Sequence, residues 1–433
     1  MLSKFFKFEE RGTNLSTEIV AGITTFVTMV YIVIVSPALM SQTGMDFNGV
    51  FIATIIVTVV GTLFMAFGAN YPIAIAPGMA LISYFVFTVV LSDGIPWQKA
   101  LGCVFVSSVL FMLFSLTKLR NTLIDAIPQS LKHAITAGIG MFIAFIGLQN
   151  AKLIVDAPNI LVSLGSLREP VAALTVFGII VTLCLMVYNV RGAIFLGMII
   201  TFVASYIVGL VEVPQHLFEV PQGLANTALQ LDVASVFSDG LFAVVCTFFL
   251  ITLFDTTGTM IGVADKAGLI KDGKFLNAKM ALFADAVGSV FSGLLGSSPT
   301  SAYIESGAGV AAGGRTGFTS VVVAVLFGVV LFFAPVAKMI AGVPAVTAPA
   351  LIITGFLMME GLKDIKWGEI DEGFTAFMIV LLMPLTYSIA VAIGVGFILY
   401  PLLKVFNGKA KEVHPILYVL QVIFFIQLVF LGL

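Results

Sequence analysis

The apolar residues of this chain come in long, nearly unbroken stretches. They show neither the strict alternation of a half-buried strand nor the narrow stripe of a helix lying on a soluble core. With about 20 apolar residues taken as one bilayer crossing, the stretches predict helices at roughly 17–39, 48–68, 72–90, 97–116, 132–150, 170–188 and 191–211. A polar, acidic segment follows near 212–237. The pattern resumes at roughly 238–262, 275–295, 298–313, 317–335 and 345–361, then in one long run, 372–404, and in a last one, 413–432. A water-filled β-barrel would instead show short alternating segments. The chain therefore reads as an all-α polytopic membrane protein.

Composition agrees. Of the 433 residues 60% are hydrophobic and 10% charged, where a soluble protein carries about a quarter charged. A formal net charge of −2 offers no basic surface for nucleic acid. Cys103, Cys184 and Cys246 lie inside apolar runs without metal or redox spacing and read as small core residues. The N-terminal MLSKFFKFEERGTN is charged and leads into a full-length span, unlike a cleavable signal peptide.

The run 372–404 is long for one crossing and short for two. Cytoplasmic loops collect Lys and Arg, and this decides the count. Splitting the run near Ser388 with the N-terminus cytoplasmic puts 17 of the 21 Lys and Arg inside and leaves Lys99, Lys152, Arg168 and Lys338 outside. Left whole, the run gives 14 against 7. The expectation is about 14 spans, seven plus seven, with 413–432 as an extra C-terminal apolar helix.

An odd number of spans per half turns the second half upside down relative to the first. Two irregularities match this inverted repeat. Pro77-Gly78 interrupts span 3 in YPIAIAPGMALISY (71–84), and Pro299 with a Gly/Ser run interrupts span 10 in GSSPTSAYIESGAGV (296–310). Interrupted spans at corresponding positions point to a transporter site near the midplane.

Three acids lie at membrane depth: Asp255 in FFLITLFDTTGTMIGV (span 8), Asp285 in ALFADAVGSVFSG (span 9) and Glu305 in TSAYIESGAG (span 10). A charge at the bilayer centre costs upward of about 2.5 kcal/mol, so such residues face a polar interior and serve a function. Thr252, Thr256, Thr257 and Thr259 surround Asp255 with hydroxyls that could bond it or a ligand. With no Lys or Arg in spans 8 and 10 before Arg315, anions fit poorly, and neutral hydrogen-bond donors or cations fit better. A carboxyl group exposed alternately to each side can take up a proton on one and release it on the other. Tyr303 offers a ring for a planar ligand. His133, His216 and His414, read in or near loops, form no metal or triad arrangement. GAGVAAGGRTG (307–317) lacks the GK[ST] ending of a phosphate loop. No enzyme, cofactor or metal site is expected.

AGITTFVTMVYIVIVSP (21–37), PIAIAPGMALISYF (72–85), TLFDTTGTMIGVADKAGLI (252–270) and YIESGAGVAAGGRTG (303–317) resemble the AzgA-like branch of the nucleobase–cation symporter-2 family, the purine permeases. The similarity runs from about residue 8 to 411, and the stretch after Asp255 is most like the adenine permeases. The resemblance implies a core domain (17–116 and 238–335), a gate domain (132–211 and 345–406), and short strands with half helices in spans 3 and 10. It implies import of a purine nucleobase by proton symport, adenine first and hypoxanthine or guanine next, at a cell inner membrane, by a protein that is often a homodimer. Substrate binding then falls to Asp255, Glu305, Tyr303, Thr259, Ile82 and Ser83, and proton coupling to Asp255, Glu305 and Asp285. Ile82 and Ser83 stand where the family has Asn-Ala, and Ser36-Pro37 where it has Asn-Pro. An amide that can donate and accept is thus missing beside the base. Sodium coupling, and an anion or organic-acid carrier on the same fold, are the alternatives.

Overall fold

The computed structural model describes residues 2–117, 126–157, 161–211, 216–271, 274–275 and 277–430. Lys118 and Arg120, used above for orientation, lie outside the described residues, as do 212–215 of the acidic segment and 431–432 of the last run. Among the described residues, ten helices are long and apolar enough to cross a membrane: Leu15–Thr43, Phe47–Ala69, Trp97–Leu116, Gln129–Asn150, Pro170–Val187, Phe242–Lys266, Ala278–Leu295, Gly317–Ala341, Pro344–Asp364 and Ile389–Phe406. These are spans 1, 2, 4, 5, 6, 8, 9, 11, 12 and 14. Span 7 is the shorter Ala193–Ile207 and span 13 is Ile370–Thr386. Spans 3 and 10 are interrupted, which completes two inverted sets of seven.

Local chemistry sets the boundaries. Asn14 caps span 1 by accepting from the Thr17 N–H, and Asp46 caps span 2 by accepting from Gly49. The long run divides where expected: span 13 ends at Thr386, Tyr387 turns left-handed at φ 56°, and the Ser388 hydroxyl caps span 14 by accepting from Val391. Pro344 opens span 12 at a position whose N–H needs no partner.

In span 3, Ile75–Pro77 is a strand followed by the helical segments Met79–Ser83 and Tyr84–Ser92. In span 10, Thr300–Ala302 is a strand followed by the half helix Ser306–Ala311. Pro77 and Pro299 lack a donor and push the preceding residue to extended backbone. The two strands pair antiparallel, Ile75 opposite Ala302, Ala76 opposite Ser301 and Pro77 opposite Thr300. A two-stranded ribbon in a membrane has two bare edges that water cannot satisfy. Neighbouring spans supply partners: the Thr62 hydroxyl bonds both the Ile75 N–H and its carbonyl at 3.0 Å, and Ser289 accepts from the Thr300 N–H at 2.9 Å.

Span 9 packs on spans 2 and 4, and span 11 on spans 1 and 2, around this ribbon. Span 12 packs on spans 5, 6 and 7, and span 13 on spans 5 and 14. The C-terminal helix Pro415–Phe430 lies along span 14, with Phe424 stacked on Phe397 at 5.5 Å and the Gln421 amide donating to the Ile398 carbonyl. Of the cysteines read as core residues, Cys103 is buried. Cys184, on the outward side of span 6, is exposed, because an apolar run in a bilayer has a lipid-facing side as well as a core side.

Candidate functional site

A cavity of about 330 Å³ opens where the paired strands give way to their half helices. Tyr31, Met79, Ala80, Phe254, Asp255, Thr259, Tyr303 and Glu305 line its inner end. His133, Lys266, Glu360, Lys363 and Asp364 line its mouth. His133, near the start of the helix Gln129–Asn150, is among these residues.

Asp255 belongs to span 8, and Ser301 of the crossing strand lines the cavity beside its carboxylate. Space opposite is tight: a Cβ on Gly78 would stand 2.7 Å from Ser301 Oγ and 3.3 Å from Asp255 Oδ2, so a side chain there would have to displace one of them. The threonines expected around Asp255 divide. Thr256 donates to Asp285 Oδ2 at 2.6 Å and Thr252 to the carbonyl of Phe248 at 2.8 Å, so neither serves Asp255. Thr259 does line the cavity.

Glu305 begins the half helix of span 10. Its Oε1 accepts from the Tyr31 hydroxyl at 2.8 Å, and its carbonyl from Thr28 at 3.4 Å. Span 1 therefore lies along the half helix and touches the acid directly. Tyr303 turns its ring to the cavity while its hydroxyl donates to the Pro77 carbonyl at 2.6 Å.

Three residues expected to touch substrate or proton lie off the cavity wall. Asp285 is fully buried behind it, bonded by Thr256 and, at 2.8 Å, by Thr300. Ile82 and Ser83 are buried in the half helix of span 3, past Met79 and Ala80, which face the cavity in their place. An i, i+3 step brings a side chain back to nearly the same face one turn further along, so Ile82 and Ser83 lie a turn beyond the residues that line the cavity. Sequence reasoning missed Tyr31 and Ser301. Both lay in stretches already singled out, yet neither is ionisable at neutral pH, so charge at depth could not find them.

A family profile described as "Permease family" (Xan_ur_permease) matches residues 16–395. The chain is 48% identical over 428 residues to the guanine/hypoxanthine permease PbuO of Bacillus subtilis, covering 98% of this chain and 99% of that protein. It is 39% identical over 433 residues to the adenine permease AdeP of Escherichia coli, covering 100% and 97%. Among solved structures, the transmembrane domain of a cyanobacterium bicarbonate transporter, BicA, superposes with a TM-score of 0.67 at 18% identity, covering 88% of this chain and 97% of that one. Murine Slc26a9, an anion transporter in the inward-facing state, superposes with 0.61 at 11% identity, covering 91% and 69%. At these identities the likeness is one of fold alone.

Proposed function

The chain belongs to this permease family of carriers, and from that premise we propose that it imports a purine nucleobase by proton symport. Two acids and a tyrosine ring at the strand crossing carry the proposal: Asp255, Glu305 and Tyr303 share one cavity. The carboxylates accept from N–H groups on the polar edge of the base, and Tyr303, Met79 and Phe254 cover its faces. Guanine and hypoxanthine stand ahead of adenine, because the guanine/hypoxanthine relative shares more of the sequence than the adenine relative. Thr259 bonds the base or an acid beside it. Asp285, Ile82 and Ser83 act through the packing behind the wall rather than by contact.

In this mechanism spans 1–4 and 8–11 form a core that moves against a gate of spans 5–7 and 12–14. Asp255 and Glu305 take up a proton with the base on one side and release both on the other. The N-terminus and the cavity mouth lie on the cytoplasmic face of the cell membrane. Lys266 and Lys363 at the mouth, at helix ends that positive charge assigns to that face, support this orientation.

The test is uptake of labelled hypoxanthine, guanine and adenine by cells lacking their own permeases. Asp255→Asn and Glu305→Gln should each abolish concentrative uptake, and near-normal accumulation in both would sink the assignment. Collapsing the proton gradient at constant sodium should stop uptake, whereas sodium coupling would survive it. The anion-carrier alternative, favoured only by the fold of its structural relatives, predicts that sulfate or dicarboxylates compete where purines do not.

A further inference from the structure

Glu305 has two carboxylate oxygens, and among the described residues the side-chain donor that reaches them, Tyr31, goes to Oε1. The Tyr31 hydroxyl, on a residue only 1% exposed, donates to Oε1 at 2.8 Å. A phenolic O–H that donates to Oε1 makes that oxygen the weaker base, so a proton carried by Glu305 is favoured on Oε2. We propose that Tyr31 is a positioning residue that fixes Oε2 of Glu305 as the oxygen presented to the purine and to the transported proton.

This inference rests on the purine reading above and adds a division of labour to it. Ionised, Oε2 accepts from an N–H of the base; protonated, it donates to a ring nitrogen. One oxygen thus reads opposite edges of the base in the two protonation states. Without Tyr31 either oxygen could take either role, and affinity would cease to depend on a single geometry. Span 1 holds the tyrosine in place: Thr28, one turn before it, donates to the Glu305 carbonyl, and Thr25 and Ala21 lie against Gly309 of the half helix. The Glu305 carboxyl and the Tyr31 hydroxyl therefore keep their spacing when the half helix shifts as a unit with span 1.

The test measures purine affinity against pH for the purified full-length protein, read as thermal stabilisation by hypoxanthine and by guanine. Tyr31→Phe keeps the ring and loses the donor. The expected result is an apo melting temperature close to wild type, a loss of affinity of roughly ten-fold or more, and a displaced or flattened pH profile. Site-specific 3-fluorotyrosine at position 31 is nearly isosteric and a stronger donor, and should displace the pH profile in the opposite direction. Wild-type affinity and an unchanged profile in Tyr31→Phe overturn the inference, as does a loss of affinity that leaves the profile in place with both substitutions. Should no purine stabilise the wild type, the functional reading falls and takes this inference with it.

Discussion

The Tyr303 hydroxyl donates to the Pro77 carbonyl at 2.6 Å, joining the two strands on which both half helices depend. The ring faces the cavity and the hydroxyl faces the scaffold, so one residue serves substrate and structure through different atoms. Tyr303→Phe should therefore keep purine uptake while lowering stability by about 1 kcal/mol, the net worth of one hydrogen bond. Tyr303→Ala should lose both. Paired uptake and melting measurements on the two variants check this, and a Phe variant with wild-type stability would show the bond to be idle.

Asp285 bonds Thr256, the neighbour of Asp255, and Thr300, the neighbour of Ser301. Replacing it with asparagine turns one acceptor toward those hydroxyls into a donor. A buried hydroxyl left unpaired costs about 1–3 kcal/mol. Asp285→Asn should lower the melting temperature and weaken purine affinity together, because the register of Asp255 against Ser301 loosens. A variant that loses proton coupling at unchanged affinity and stability would instead make Asp285 the proton carrier.

Gly78 sits at φ −72°, where alanine is unstrained, so only space forbids a side chain there. Gly78→Ala drives a methyl group against Ser301 Oγ and Asp255. The expected outcome is normal expression and folding with purine affinity reduced about ten-fold or more, the cost of overpacking between two cavity-lining residues. Unchanged affinity in a binding titration would mean that Ser301 moves aside at no cost and is no part of the site.

Lys404, 2% exposed, stands 3.3 Å from Asp371 and 3.2 Å from both Glu372 and Glu412, and Ser130 donates to Glu372. This network ties the ends of spans 13 and 14 to span 5. Removing Lys404 leaves Asp371 and Glu372, among the described residues, with the more distant cations Lys409 at 3.8 Å and Lys366 at 3.7 Å, so the cost falls below the roughly 3–5 kcal/mol of a wholly unpaired buried charge. Lys404→Met should cut the melting temperature sharply, and Lys404→Arg much less. Equal stability of Lys404→Met and wild type would show that water reaches these carboxylates.

The span boundaries were legible because a bilayer imposes a length and a composition that one-dimensional sequence carries. Ser388 could be picked as the break in the long run because positive charge had to fall on one side, and it proved to be the cap of span 14. The broken third and tenth spans were legible through Pro77-Gly78 and Pro299, since proline and glycine act on their own backbone. Burial of an acid was also legible, for a carboxylate in an apolar run is costly wherever that run ends up.

Which acids face one another is a different kind of fact. Asp255 and Asp285 looked alike in sequence, yet one lines the cavity and the other is sealed behind it by Thr256 and Thr300. Ile82 and Ser83 occupy the expected motif but are buried a turn beyond the cavity lining, while Tyr31, 274 residues from Glu305, reaches its carboxylate. The apolar runs and the sidedness of positive charge marked out the helices and their breaks, because those depend on neighbours along the chain. The crossing of two strands from opposite halves, and with it the choice of which side chains meet, depends on packing between segments hundreds of residues apart, and only the tertiary structure decides that.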